Sequence, residues 1–370
     1  MLIGVDASRA TASQRTGTES YSLNLIRALS GLVLESGHQL RLYHRSEESV
    51  DLFGSAEGIE HVLIPFPLVW THLRLAGELH KRPPDIFYTP AHVIPYSYHQ
   101  PSVATVHDLG YFYYPEAHTR RQLRYLQWST RHNSNRARKI IADSETTKSD
   151  LLRLLQVDGK KIEVVYPGLD PYLECSPDPE QVPAVLEKYG ICQPYLLYIG
   201  TIQPRKNLIR LINSFLTSEL EHQLVLAGRP GWLSGPIVAH VDSLDAEQRK
   251  RILFPGYVDE ADKGALISAA DALLYPSLYE GFGFPLIEAN ACGTPVMASN
   301  TSSLPEIAGK AALLVDPSDE SAMQRGIEQI VSDSALRANL TRTGLENASR
   351  FSWDLAAQKI LAILESTTGA

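Results

Sequence analysis

Residues 276–295 read Pro276-Ser-Leu-Tyr-Glu280-Gly-Phe-Gly-Phe-Pro285-Leu-Ile-Glu288-Ala-Asn-Ala-Cys-Gly-Thr-Pro295. The apolar run in front of them, Ala270 to Tyr275, has the length and composition of a buried strand. A loop holding Gly281 and Gly283 follows. Pro285 then falls at the first position of a predicted helix, where a proline's missing N–H is no loss. That helix is predicted from Leu286 to about Cys292, with Gly293 ending it. Strand, glycine loop and helix start leave backbone N–H groups converging beyond the strand end. Together with the helix dipole they form an anion site suited to phosphate, and Gly281, Phe282, Gly283 and Phe284 supply the loop's amides. Glu280 in the loop and Glu288 one turn into the helix border the same pocket. A carboxylate repels phosphate, so both are read as acceptors of hydroxyl groups. Phosphate flanked by hydroxyls describes a nucleotide sugar.

Glycine-rich strand-to-helix turns are common, and many only permit a tight turn. The glutamates framing this one are more specific: a Glu, seven residues and a second Glu around Gly-Phe-Gly-hydrophobic-Pro. On Glu280 to Glu288, and on the flanking Ala-Cys-Gly-Thr-Pro-Val, the chain resembles the retaining glycosyltransferases of family 4. The resemblance implies the GT-B fold, in which two doubly wound α/β domains face a central cleft and the final helix crosses back onto the first domain.

Composition agrees with a globular protein of about two domains. The chain has 370 residues, more than one core usually organises. Three cysteines, Cys175, Cys192 and Cys292, are odd in number and far apart, which argues for a reducing compartment and against a disulfide frame or zinc cage. The N-terminus enters a strand at once, without a signal peptide's basic and apolar segments. No apolar run approaches the roughly 20 residues of a membrane helix. The expected location is cytoplasmic, or peripheral at the inner face of a membrane.

A net charge of −8 argues against general nucleic-acid binding. The charge is uneven, however: Thr119 to Lys139 holds six arginines, one lysine and no acidic residue. One predicted helix would put Arg120, Arg124, Arg131 and Arg138 along a single stripe. Any one of these arginines reads as a solvated surface group. The cluster in an acidic protein reads as a docking surface for anionic lipid or a diphosphate-bearing acceptor.

In chain order, strands are predicted at Leu2–Val5, Leu40–Tyr43, His61–Pro65, Ile86–Tyr88, Val103–Val106, Lys139–Ala142 and Ile162–Val165. Helices are predicted at Tyr21–Leu34, over the basic segment, and at Ser144–Leu155 behind a serine cap. The proline-rich stretch from Pro171 to Pro194 breaks this rhythm. The division is therefore drawn as 1–172, a linker at 173–194, a second domain at 195–350 and a closing helical segment at 351–370. Strands resume at Tyr195–Ile199, Gln223–Ala227 and Arg251–Phe254, then the organising strand, Pro295–Ala298 and Ala312–Val315. Such alternation means parallel sheets covered on both faces, with sites at the strands' C-terminal ends.

Transfer from a nucleotide sugar breaks the bond between the anomeric carbon and a diphosphate, so positive charge must be fixed at the phosphates beforehand. No Asp-x-Asp motif for a divalent metal occurs in the sequence. The cations offered instead are Arg205 and Lys206, in Gly200-Thr-Ile-Gln-Pro-Arg205-Lys206-Asn at a strand end. Cations at a helix N-terminus oppose its dipole unless an anion sits between them. Many family members carry an arginine directly after the glycine, where this chain has Thr201. Its pattern is that of the branch with Gly-Thr-x-x-Pro-Arg-Lys-Asn.

The resemblance adds further residues. Gly17, in the loop after the first strand, matches a glycine whose backbone approaches the diphosphate. His107 matches a histidine that hydrogen-bonds the transferred sugar, and Asp108 beside it is a candidate for orienting the acceptor hydroxyl, with Tyr111 nearby. Glu280 matches the glutamate near the donor sugar and Glu288 the one that holds the ribose hydroxyls. Gly200 belongs to the diphosphate loop, and Tyr257 and Val258 to the edge that meets the base. Ser144 and Glu145 form an ordinary helix cap. The resemblance implies retention of anomeric configuration, and no nucleophile is assigned.

The candidate catalytic set is thus His107, Arg205, Lys206 and Glu280, with neither metal nor cofactor. GDP-mannose is the first-choice donor, because the Pro-Arg-Lys-Asn branch is similar to mannosyltransferases of surface-polysaccharide assembly; UDP-sugars come second. The acceptor is a glycan or a polyprenyl-diphosphate-linked sugar. Alternatives are a nucleotide-sugar epimerase or sugar-phosphate-forming synthase of the same architecture, or a non-catalytic binder. A nicotinamide oxidoreductase would need Gly-x-Gly-x-x-Gly after the first strand, and residues 6–20 lack it.

Overall fold

The computed structural model describes residues 1–10, 15–66, 69–91, 93–173, 175, 178 and 180–368. The chain divides into two compact units. The first comprises Met1–Phe112, Arg120–Gly168 and the chain from Ser352 onward; the second comprises Tyr113–Thr119 and Leu169–Phe351.

Strands β1 (Leu2–Asp6), β2 (Gln39–His44), β3 (Ile59–Leu63), β4 (Ile86–Thr89), β5 (Ser102–Val106), β6 (Lys139–Ala142) and β7 (Ile162–Val164) belong to the first unit. They form a parallel sheet in the order β3-β2-β1-β4-β5-β6-β7. In the second unit, β8 (Tyr195–Ile199), β9 (Gln223–Ala227), β10 (Ile252–Leu253), β11 (Ala272–Tyr275), β12 (Val296–Ser299) and β13 (Leu313–Val315) are ordered β10-β9-β8-β11-β12-β13. Neighbours there are parallel too.

Each unit repeats one doubly wound order. The direction of winding reverses between β1 and β4 in the first and between β8 and β11 in the second, and such switch points are where these sheets bind ligands. The central strands are buried on both faces, as the unbroken apolar runs Tyr195–Ile199 and Ala272–Tyr275 require.

The first helix runs from Gly17 to Glu35, four residues longer at its start than its apolar spacing predicts. Thr16 and Glu19 explain the difference. The Thr16 N–H donates to the Glu19 carboxylate at 3.0 Å, completing a capping box. Gly17 is therefore the first helical residue rather than part of the preceding loop. The closing helix, Trp353–Thr368, packs along this first helix. His38 Nε2 meets Glu365 Oε1 at 2.9 Å beside it.

The basic helix ends at Arg136, so Arg138 leaves the predicted stripe. Its guanidinium donates to the Thr367 carbonyl at 3.2 Å. Arg120, Arg124 and Arg131 remain exposed on the helix, with Tyr125 and Trp128 exposed between them.

The proline-rich stretch holds a helix of its own, Gln181–Lys188, inside the second unit. Lys188 anchors it to Asp259 at 2.8 Å and Asp262 at 2.6 Å. Tyr113–Thr119 also packs with the second unit. Tyr113 stacks on Tyr279, His118 stacks on Trp232, and the Trp232 indole N–H donates to the Ala117 carbonyl at 2.5 Å.

Candidate active site

The Gly200–Lys206 loop leaves the C-terminal end of β8, and the Pro276–Gly283 loop leaves that of β11. Leu197 of β8 pairs with Leu273 of β11, so the topology sets the two loops side by side. Two glycines fix the first loop's path. Gly200 has φ +147°, and a Cβ on Gly228 would lie 1.9 Å from the Gly200 carbonyl oxygen, so no side chain fits where the ends of β8 and β9 meet. A short helical turn, Pro204–Lys206, then presents both cations.

Glu280 lies at their focus. Its carboxylate accepts from Lys206 Nζ, from the Tyr275 hydroxyl at 2.9 Å and from Arg205 at 3.3 Å. Arg205 also donates to the Tyr279 carbonyl, while its own carbonyl accepts from Leu278 N–H at 2.9 Å. Lys206 Nζ donates to the Tyr275 hydroxyl at 3.2 Å. Only 9% of the Lys206 side chain and 12% of the Arg205 side chain are exposed. Burial works against the charged Glu280 carboxylate, but Lys206 and then Arg205 outweigh it and hold its pKa at about 2.

The loop is tied down by backbone bonds. Glu280 N–H donates to Ser302 Oγ at 2.9 Å, and the Ser303 hydroxyl donates to the carbonyls of Glu280 and Phe282 at 3.0 and 2.9 Å. Gly283, at φ +116°, caps the Phe284–Ala291 helix, where a Cβ would come within 2.8 Å of Leu304 Cδ2. The helix begins two residues earlier than predicted, and Pro285 takes its second position. Phe282 is buried with its ring edge-on to Phe284 and Phe351. What the loop Gly281–Phe284 offers a ligand is therefore mainly backbone.

Glu288, one turn into that helix, is also ion-paired. Lys263 Nζ lies 2.8 Å from its Oε1 and 3.0 Å from Glu260 Oε2. Burial opposes the lysine's charge, but Glu288 and Glu260 outweigh it and raise its pKa above the ordinary value. Tyr257 closes this corner by donating from its hydroxyl to Glu260 at 3.2 Å, with Val258 buried next to it. Gly256, just before them, accepts from Gly228 N–H at 2.7 Å and so ties this edge to the end of β9.

In the first unit, His107 follows β5. Its Nδ1 lies 2.6 Å from Asp143 Oδ2, and its ring meets Tyr21 edge-on at 4.7 Å. Burial opposes its protonation, but the charge and hydrogen bond of Asp143 outweigh it, with Asp108 adding, and raise its pKa. Asp108 Oδ1 accepts from Gly110 N–H at 2.9 Å. The Tyr111 ring is buried and its hydroxyl donates to Thr130 Oγ1 of the basic helix. Gly17 lies in the first turn of the helix that follows β1.

Sequence reasoning missed Lys263, Tyr275, Ser302, Ser303 and Asp143. For Asp143 a signal existed. Val106 pairs with Ala142 in adjacent parallel strands, so the next residues in each strand, His107 and Asp143, arrive together. Lys263 carries no such signal, since its partner Glu288 lies 25 positions away on another helix. Among the described residues, no group of three or more His, Cys, Asp or Glu is placed to hold a metal ion. No helix among them is long and apolar enough to cross a membrane.

Two doubly wound units of one strand order, the second with a carboxylate and two cations at its switch point, define a GT-B glycosyltransferase. Comparison with known proteins agrees. The family described as Glycosyltransferase Family 4 matches residues 15–172, and that described as Glycosyl transferases group 1 matches residues 187–347. The O-antigen chain mannosyltransferase B of Escherichia coli is 32% identical over 365 residues, covering 92% of this chain and 93% of the relative. The O-antigen chain mannosyltransferase RfbU of Salmonella typhimurium is 30% identical over 70% of this chain and 68% of its own length. Among solved structures, sucrose-phosphate synthase from Thermosynechococcus elongatus superposes with a TM-score of 0.78 at 21% identity, over 99% of this chain and 98% of that one. The chain belongs to glycosyltransferase family 4.

Proposed function

We propose that this glycosyltransferase moves a mannosyl residue from GDP-mannose to a glycan or polyprenyl-diphosphate-linked acceptor in surface-polysaccharide synthesis. The reading includes retention of anomeric configuration and no requirement for metal. One observation carries the chemistry: Arg205 and Lys206 are held in place by Glu280 at the switch point of the second unit. A diphosphate entering there takes over two prepositioned cations. Negative charge that develops on it as the glycosidic bond breaks is then met without reorganisation. Glu288 and Lys263 are the groups for the ribose hydroxyls, and the backbone around Tyr257 and Val258 meets the base. His107 contacts the transferred sugar. The choice of mannose rests on the two O-antigen mannosyltransferases.

Peripheral membrane association is part of the proposal. The exposed face of the Arg120–Arg136 helix carries Arg120, Arg124 and Arg131 with Tyr125 and Trp128. That mixture of cations and interfacial aromatics suits an anionic headgroup layer.

The test is transfer from GDP-mannose, UDP-glucose and UDP-galactose to a mannan oligosaccharide, with and without EDTA, with the product anomer read by NMR. Preferred turnover of GDP-mannose, undiminished by EDTA and giving the α-anomer, is expected. Loss of turnover on chelation, or a β-linked product, would overturn the mechanism. Preference for a UDP-sugar would overturn the donor.

A further inference from the structure

His107 and Asp143 stand on the ends of two adjacent strands, because β5 and β6 run in parallel register from Val103↔Lys139 to Val106↔Ala142. The 2.6 Å separation of Nδ1 and Oδ2 is short even for a charge-assisted hydrogen bond. Only 3% of the Asp143 side chain is exposed. The histidine is braced on its other sides. Tyr21 sets its ring edge-on at 78°, Trp353 does the same to Tyr21, and Thr147 Oγ1 donates to the His107 carbonyl at 3.2 Å. Meanwhile His107 Nε2 is a buried nitrogen that makes no hydrogen bond of ordinary geometry among the described residues, the Pro90 carbonyl being the backbone acceptor near the ring. A polar atom in that condition costs free energy unless water or a ligand uses it.

From this geometry we infer that Asp143 is a positioning residue for the transfer: it keeps Nδ1 protonated and supports the imidazolium, so that Nε2–H is the atom His107 offers to a substrate oxygen. The inference rests on the reading of His107 as a substrate contact. Among the described residues, the charged and titratable groups facing His107 are few. Asp143 comes from the loop after β6, Asp108 from its own loop, Tyr21 from the first helix, and the Pro90 carbonyl from the end of β4; Asp143, Asp108 and the carbonyl all favour the protonated ring. The sign follows. His107 stays protonated to higher pH than an ordinary histidine, and without the Asp143 charge its pKa falls, because burial is then opposed only by Asp108 and the Pro90 carbonyl.

Nitrogen-15 NMR of the intact protein reads the ring directly, the His107 signals being assigned by their loss in H107A. In wild type, Nδ1 is protonated at every pH at which the fold persists, and the titration occurs at Nε2. In D143N the His107 titration moves to lower pH, and in D143A it moves the same way. For transfer from GDP-mannose, D143N lowers kcat roughly 10–100-fold with little change in donor KM, and the alkaline limb of its pH profile shifts to lower pH with the NMR titration. A wild-type ring protonated at Nε2 and bare at Nδ1 overturns the inference, as does an unmoved titration in D143N. Folded D143N with wild-type kcat and pH profile overturns it also. The underlying reading fails separately: H107A would then transfer at the wild-type rate while the wild-type NMR signature stays as stated.

Discussion

Replacing Glu280 with glutamine tests the energetics of the site. The substitution keeps shape and the bond from Tyr275, but removes the charge that faces Lys206 and Arg205. Moving a carboxyl from its ordinary 4.5 to about 2 corresponds to about 3 kcal/mol of folding free energy at neutral pH. An independent route gives a similar figure, since removing one partner of a buried ion pair costs about 3–5 kcal/mol. Glutamine retains part of the hydrogen bonding, so a loss of about 2–4 kcal/mol is expected. In thermal terms this is a fall of roughly 10 °C for a unit of this size.

The pH dependence has a definite sign. Glu280 has a lowered folded-state pKa, so its contribution is complete above about 4.5 and disappears as pH falls towards about 2. Urea titrations at pH 7.5, 4 and 3 should therefore show the gap between wild type and E280Q closing in acid. Binding of GDP should move the opposite way. Freed of a competing carboxylate, Lys206 and Arg205 should bind GDP about fivefold more tightly, or about 1 kcal/mol. E280Q within about 0.5 kcal/mol of wild type at pH 7.5, or a gap that widens in acid, would refute the account of Glu280 as their counter-charge.

Lys206→Ala should weaken GDP binding about 10–100-fold by calorimetry, the worth of a charged hydrogen bond to phosphate. Lys263→Met leaves Glu260 and Glu288 facing each other without their shared cation; a stability loss of about 2–4 kcal/mol in urea and a raised donor KM are expected. Exchanging Arg120, Arg124 and Arg131 for serine should abolish co-sedimentation with phosphatidylglycerol vesicles while leaving transfer to a soluble acceptor unchanged. Unaltered sedimentation would remove the membrane proposal.

The sequence alone carried the alternation of strands and helices, because buried parallel strands must be apolar on both faces and the amphipathic helices between them cannot be. It also offered Glu280, Glu288, Arg205 and Lys206 as candidates, because their types and spacing within two short segments are local properties. Element ends were less legible. The Thr16–Glu19 cap was present but unread, and Arg138 continued an arithmetic pattern past the residue where the helix stops. What only tertiary structure decided is pairing. Nothing in the chain says that the carboxylate expected to receive sugar hydroxyls spends its charge on Lys206, 74 positions away, that Lys263 bridges two glutamates, or that the two strand ends carrying His107 and Asp143 are neighbours. Strand order brings those atoms together, and strand order is set by how whole elements bury their faces rather than by any one stretch of sequence.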